Sequence, residues 1–313
     1  MNDFSTQPLM PDSSESSLRL HLARGDAVVG AVGPVLHHLL VHRDQALFGD
    51  EVVAHLRAML GDLARQLVEA LMVAGAADAG EDAVAALLPD VPGLLPHVHA
   101  LALEWQLTLR LQERVGLDPV LSPLLQALIA STDAETSARA MRLLAAQARF
   151  VQGQRRMQLG LGELPPELLH GVTQALYACA PITVAHKAEA ALRETYDEAT
   201  TRRGLLARLV SGMGAAAVAG LALPHAGVAI FAATLAHLRD LPRDYALLAM
   251  QDGQQTRLAL ELRAAGQKLS VAEETLLVLN PHGDAPDGLG RISVERAAQL
   301  LAQAPLPPQQ VGA

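Results

Sequence analysis

The chain has 313 residues, half of them hydrophobic, 3% aromatic and 18% charged, which is long enough for one large or two ordinary domains and too apolar for wholesale disorder. A formal net charge of -9, from 33 acidic against 24 basic residues, excludes a global attraction for nucleic acid and leaves room only for a local basic patch. Apolar mass drawn from Leu, Ala and Val, with few rings to line strands, predicts an all-α protein.

Residues 1–17 carry Asp3, Asp12 and Glu15 among serines and prolines, with no basic flank and no apolar core of secretory length, which predicts a disordered tail and no signal peptide. His38 and His42 are one helical turn apart and have the spacing of two metal-binding imidazoles, with His37 and His55 as distant helpers. Two ligands do not make a site, so these histidines are read as the margin of an amphipathic helix. His42, Arg43 and Asp44 spell the tripeptide of a protein-kinase catalytic loop, but Gly49 stands where that loop needs asparagine and no glycine-rich phosphate loop precedes it. The match is read as coincidence. Over 49–74, Asp50 serves as N-cap, and Val52, Leu56, Met59, Leu63, Leu67 and Leu71 recur at steps of four and three, which predicts one apolar helix face. Asp62, Arg65 and Glu69 fall on the other side, where Arg65 and Glu69 can pair. His97 and His99 lie in a helix predicted over 93–115; alternate residues diverge on a helix, so they are given no ligand role.

A helix is predicted over 118–130, and Thr132 with Glu135 forms a capping box ahead of Met141, Leu144 and Val151. Arg149, Arg155 and Arg156 with Phe150 make a compact basic cluster in which one ring is too few for base stacking, so it reads as a solvated face or a surface for an acidic partner. Lys187 and Lys268 are the only lysines among the 24 basic residues, an arginine skew that reads as coding bias. Gly160, Gly162, Pro165 and Pro166 mark a boundary between an N-terminal lobe at 18–158 and a C-terminal lobe at 163–302. In the helix predicted at 166–178, Glu167 and His170 have the spacing of a di-iron helix without its second copy. Cys179 is alone, so neither an intrachain disulfide nor a cysteine zinc cluster can form, and a reducing compartment fits.

One long helix is predicted over 183–210. Glu189 to Arg193, Arg193 to Asp197 and Glu198 to Arg202 are four-residue steps, a charge ladder on an exposed face. Glu194 and Glu198 therefore read as solvated rather than as an acid/base pair, on a helix free to pair with a partner or a second copy of the chain. Residues 209–238 hold no Asp, Glu, Lys or Arg, a run longer than the roughly 20 residues a membrane helix needs. Pro224 and His225 interrupt it, and the reading is two buried helices broken there rather than a membrane span. Helices follow at 253–265, after Ser270 and Glu273 as a second capping box, and at 293–302 behind Ser293. The loop 284–290 resembles a calcium loop in composition, but Ala285, Leu289 and Arg296 occupy positions that require ligands. Pro305, Pro307 and Pro308 predict an irregular tail at 303–313.

Ala148-Arg-Phe-Val-Gln-Gly-Gln-Arg-Arg-Met157, continuing through Gly162-Glu-Leu-Pro165, resembles a bacterial family catalogued as domain of unknown function 2336. Ala219-Gly-Leu-Ala-Leu, Ile230-Phe-Ala-Ala-Thr-Leu-Ala236, Leu241-Pro242 and Leu262-Arg-Ala-Ala-Gly266 are similar to its C-terminal pattern. The resemblance implies a soluble helical fold and brings no reaction, ligand set or active site. The expected fold is thus all-α, a multi-helical bundle or a HEAT-like solenoid of antiparallel helix pairs, in two lobes. The residues assign no catalytic, cofactor or metal role. The expected function is a cytoplasmic protein–protein interaction scaffold or adaptor with an unknown protein partner, without nucleic acid, and open to homo-oligomerisation. The alternatives are a membrane-attached protein using 209–238, or an enzyme with a pocket between helices whose residues meet only in space.

Overall fold

The computed structural model describes residues 13–41, 51–78, 80–281, 283 and 285–304. Among them the chain is all-α, with fourteen α-helices and no strand: α1 (Ser13–Val41), α2 (Glu51–Ala74), α3 (Glu81–Leu87), α4 (Leu94–Val115), α5 (Pro123–Ile129), α6 (Ala134–Arg155), α7 (Pro166–Cys179), α8 (Ile182–Thr195), α9 (Arg202–Gly212), α10 (Leu223–Arg239), α11 (Arg243–Leu248), α12 (Gln255–Ala264), α13 (Leu269–Leu279) and α14 (Val294–Gln303). Residues 13–17, expected in a tail, open α1, where Glu15 takes Arg19 and Arg296 as partners.

The predicted face of α2 is the buried one: Leu56, Met59, Leu63, Leu67 and Leu71 have no exposure. Arg65 pairs with Asp62 at 2.7 Å and with Glu69 at 3.6 Å. Asp62 is not merely solvated, however. Its carboxylate accepts from the Leu159 N–H at 3.1 Å, while Gln66 accepts from Leu161 N–H at 3.0 Å and donates to Leu159 O at 2.8 Å. Helix α2 therefore fixes the chain that leaves α6.

Helix α4 organises the molecule. From Leu94 to Thr108 its sequence is apolar almost all round, and that stretch has no face to give to water, whereas the last turn, with Glu113 and Arg114, is exposed. It packs against α1, α2, α6, α10, α11 and α13. Two hydrophobic cores meet along it. One gathers Leu36 and Leu40 of α1, then α2, α3, the first half of α4, α7 and α8. The other gathers Leu18, Leu22 and Val29 of α1, the second half of α4, and parts of α5, α6 and α9 to α14. The cores are thus drawn across the boundary at 160–166, with α7 and α8 packed on α2 and with α6 packed on α9. Contacts between α1 and α12, and between α4 and α13, join helices far apart in sequence, so the arrangement is a bundle rather than a solenoid of nearest neighbours.

Local corrections have local causes. Asp133, not Thr132, caps α6, accepting from Thr136 N–H at 2.8 Å. Helix α13 begins at Leu269, so Ser270 lies inside its first turn and caps nothing. Ser293 caps α14 through Arg296 N–H at 3.1 Å. The helix expected over 118–130 is only α5, because Asp118 closes a turn onto Val120 and Leu121 N–H, both at 2.8 Å, ahead of Pro123.

The long helix expected over 183–210 is two helices. Tyr196 and Asp197 are extended, a 3-10 turn covers Glu198–Thr200, and Thr201 caps α9 through Gly204 N–H at 3.0 Å. The ladder face offered for homo-oligomer pairing is therefore not continuous.

The uncharged stretch contains the end of α9, a 3-10 spiral over Gly214–Leu221, and most of α10. It breaks ahead of Pro224, which sits in the first turn of α10, and again at Gly227, whose φ of 72° is left-handed and kinks α10 there. The spiral packs on α10 so closely that a Cβ on Gly220 would collide with Thr234 Oγ1. Among the described residues no single helix is long and apolar enough to cross a membrane; α9 and the spiral meet the length and composition test only together, across a bend of 117°.

Candidate functional site

Glu104 stands in the middle of α4 with no exposure at all. A carboxylate buried this way stays ionised only with close, well-aimed donors. Arg202, the first residue of α9, forks onto it, Nη1 donating to Oε1 at 2.7 Å and Nη2 to Oε2 at 2.6 Å. Arg243, the first residue of α11, donates Nη2 to Oε1 at 2.6 Å. Arg202 also donates to Gln147 Oε1 of α6 at 2.9 Å and lies 3.6 Å above the Phe150 ring centroid. Burial pushes the Glu104 carboxyl up, but the charges and hydrogen bonds of Arg202 and Arg243 outweigh it and hold the group at about 2. One carboxylate thereby ties α4, α6, α9 and α11 together.

Above this knot opens a cleft of about 310 Å³. Its sides come from α2, α4, α6, the 158–160 segment held by Asp62, and the starts of α9 and α11. Five arginines line it, Arg65, Arg149, Arg202, Arg203 and Arg243, against three acids, Asp62, Glu163 and Asp244. Glu163 accepts the Arg202 backbone N–H at 2.9 Å and so occupies the N-terminus of α9.

His97 lies on the inner side, 4% exposed, with Nδ1 2.8 Å from Asp244 Oδ2. Burial pushes the Asp244 carboxyl up, and the charge and hydrogen bond of His97, with Arg203 and Arg243, bring it below its ordinary value. An ionised Asp244 can only accept, so His97 Nδ1 carries the proton of that bond. His97 Nε2 and Arg243 Nε are both buried and have no partner.

The histidines singled out from spacing go separate ways. His37 Nε2 lies 2.8 Å from Asp90 Oδ1, and His55 Nε2 lies 3.0 Å from Gln154 Oε1. His42, Arg43, Asp44, Gly49, Asp50 and Asp284 are outside the described residues. Among those described, no three His, Cys, Asp or Glu side chains gather as metal ligands. His170 Nδ1 accepts from Arg193 at 2.9 Å, and its neighbour is Glu189 at 3.8 Å rather than Glu167. Arg193 pairs with Glu189 at 2.7 Å, as its spacing allows, whereas Glu194 and Glu198 lie on opposite sides of the break after α8. In the basic cluster, Arg149 and Phe150 belong to the cleft and Arg155 and Arg156 do not line it.

Sequence reasoning missed Glu104, Arg202, Arg243 and the pair of His97 with Asp244. A signal existed for one of them. Glu104 is the one residue of Asp, Glu, Lys or Arg type between Leu94 and Thr108, the buried part of α4, and a charge in the middle of so apolar a stretch needs a buried cation. Nothing linear says which cation. No protein-family model, curated protein or solved structure matches the chain.

Proposed function

We propose that this chain is a cytoplasmic interaction protein that receives an acidic segment of a protein partner in the arginine-lined cleft. The observation that carries this is a local reversal of charge: five arginines face three acids there, on a chain of net charge -9. Arg149 and Arg203 make no hydrogen bond among the described residues, so their guanidinium groups are available to carboxylates. The Glu104 knot, with Phe150 under Arg202, supplies a rigid base for such a surface. The likeness of 148–165 and 219–266 to domain of unknown function 2336 belongs to the same reading, which takes from it a helical fold and no reaction.

Calorimetric titration with a glutamate-rich peptide tests the reading. In a folded Arg149→Glu, Arg203→Glu variant the affinity should fall by about tenfold or more, with a shallower salt dependence. An unchanged affinity would remove the cleft as the receiving surface. A second reading, an enzyme in the same cleft, is favoured by the pair of His97 and Asp244. Nδ1 held by a carboxylate leaves Nε2 as the basic nitrogen of the ring, the arrangement of a general base. Turnover of small esters, lost in His97→Asn, would favour it over the binding module.

A further inference from the structure

Helix α11 is shared by two hollows. Its Arg243 and Asp244 line the arginine cleft, while its Tyr245 and Leu248 line a separate groove of about 480 Å³ beside α1. The walls of that groove include Val29 and Gly33 of α1, Pro89, Pro92 and Pro96 around the turn into α4, and the Tyr245 ring. Of its lining residues only His37 and Asp90 are of Asp, Glu, Lys, Arg or His type, and these engage each other at 2.8 Å. From Ala27 to Val41, α1 holds no Asp, Glu, Lys or Arg, yet Val28 and Val35 stand 60% and 52% exposed. A proline-walled, aromatic-bearing and nearly chargeless groove suits an apolar, uncharged occupant in polyproline II form.

The path of the chain out of α14 leads there. Arg296 meets Glu15 at 3.1 Å, Gln303 Oε1 accepts from Arg19 at 2.6 Å, and Arg257 joins the Ala304 carbonyl, at 2.8 Å, to Asp26, at 2.9 Å. These contacts climb α1 and α14 in the same order, so the chain reaches Ala304 beside Asp26 while travelling toward the C-terminal half of α1. Gly30, one helical turn beyond Asp26, already lines the groove. The next residues are Pro305-Leu-Pro-Pro308, and residues 305–313 carry no charged side chain. Proline fixes φ near the polyproline II value, so such a segment loses little entropy on docking. Asp26 to Pro34 covers about 12 Å of helix at 1.5 Å per residue, and four residues in polyproline II cover about 12 Å at 3.1 Å each. The other segments next to α1 fit less well: 1–12 carries Asp3 and Asp12, and 42–50 carries Arg43, Asp44 and Asp50.

We propose that Pro305-Leu-Pro-Pro308 docks as a polyproline II segment in the groove between α1, the 89–96 segment and α11 of its own chain. The groove is thus a receptor for uncharged proline-rich sequence, and its resident is intramolecular. This goes beyond the acidic-segment reading of the cleft and does not depend on it.

The test compares the full chain with a full-chain variant, Pro305→Gly, Pro307→Gly, Pro308→Gly, by methyl NMR. Its substitutions lie outside the packed helices and keep the length of the segment while removing its stiffness. Methyl resonances of Val29, Leu95 and Leu248, which line the groove, should shift between the two chains, whereas those of Leu63 and Leu67, buried in the face of α2, should stay. A synthetic peptide of residues 304–313 should move the variant's groove resonances back toward the parent's positions. Its affinity for the parent should be weaker by about tenfold or more, because a tethered resident competes at an effective concentration of roughly millimolar order. Adding Gly33→Leu to the variant fills the groove from α1, where a new Cβ meets only Pro96 Cγ at 3.9 Å, and should cut peptide binding by about tenfold.

Groove methyls that stay still in the glycine variant overturn the proposal. So does a peptide that binds parent and variant equally, since the parent's groove would then be vacant. A shift that appears only at high chain concentration, with doubled mass by light scattering, places the segment in a second copy and overturns intramolecular docking. If the Gly33→Leu chain fails to fold, the comparison of parent with glycine variant decides.

Discussion

Two buried glutamates, each facing two arginines, titrate in opposite directions. Glu104 on α4 has three donor contacts at 2.6–2.7 Å from Arg202 and Arg243 and is held down at about 2. Glu261 on α12, 3% exposed, has Arg239 Nε at 2.9 Å and Arg257 only at 3.8 Å, because Arg257 is turned to Asp26 and to the Ala304 carbonyl. Its burial is the larger effect, and its carboxyl is pushed up. The difference teaches that the presence of two arginines is not what keeps a buried carboxylate charged. Short, multiple hydrogen bonds do so. Glu104 is therefore a fixed anion that positions Arg202 and Arg243 under the cleft, while Glu261 is a loosely held charge in the larger core.

The strongest way to break this contrast is Glu104→Gln. It leaves two arginines buried without an anion, and urea denaturation should show a loss of about 3–5 kcal/mol. Arg239→Met strips Glu261 of its close partner, yet that carboxyl can take a proton in response; a smaller loss, about 1–2 kcal/mol, is expected by the same measurement. Glu261→Gln should change stability at neutral pH by less than about 1 kcal/mol in either direction. A loss there as large as that of Glu104→Gln would erase the distinction.

The pH dependence sharpens it further. Glu104 and Asp244 lie below their unfolded values, so their stabilisation is complete above the unfolded carboxylate range and drains as pH falls, for Glu104 through about 2. Glu261 lies above its unfolded value, so its contribution is complete at low pH and is lost as pH rises through the folded value. Denaturation midpoints followed from neutral pH into acid should thus fall less steeply in Glu104→Gln than in the parent chain. In Glu261→Gln they should fall more steeply.

Legibility followed the range of the interaction. The stripe from Leu56 to Leu71, the Arg65 pairs, the Ser293 cap and the turn-bound start of α10 rest on neighbours within about one helical turn, so residue spacing carries them. Arg202 shows the opposite case. Four residues after Glu198 it fits a ladder, but the chain breaks at Tyr196 and Asp197, and its anion is Glu104, 98 positions earlier. Asp244 meets His97 across 147 positions. Neither distance leaves a periodic trace.

The all-helical class and most of the helix ends were set by the sequence alone, through propensity, apolar periodicity and capping chemistry, which act along the chain. The partition into two cores that share α4, the identity of the charges at their junction and the cleft itself were decided by the tertiary structure. Burial creates the demand for a partner at Glu104, and only packing brings Arg202 and Arg243 close enough to meet it.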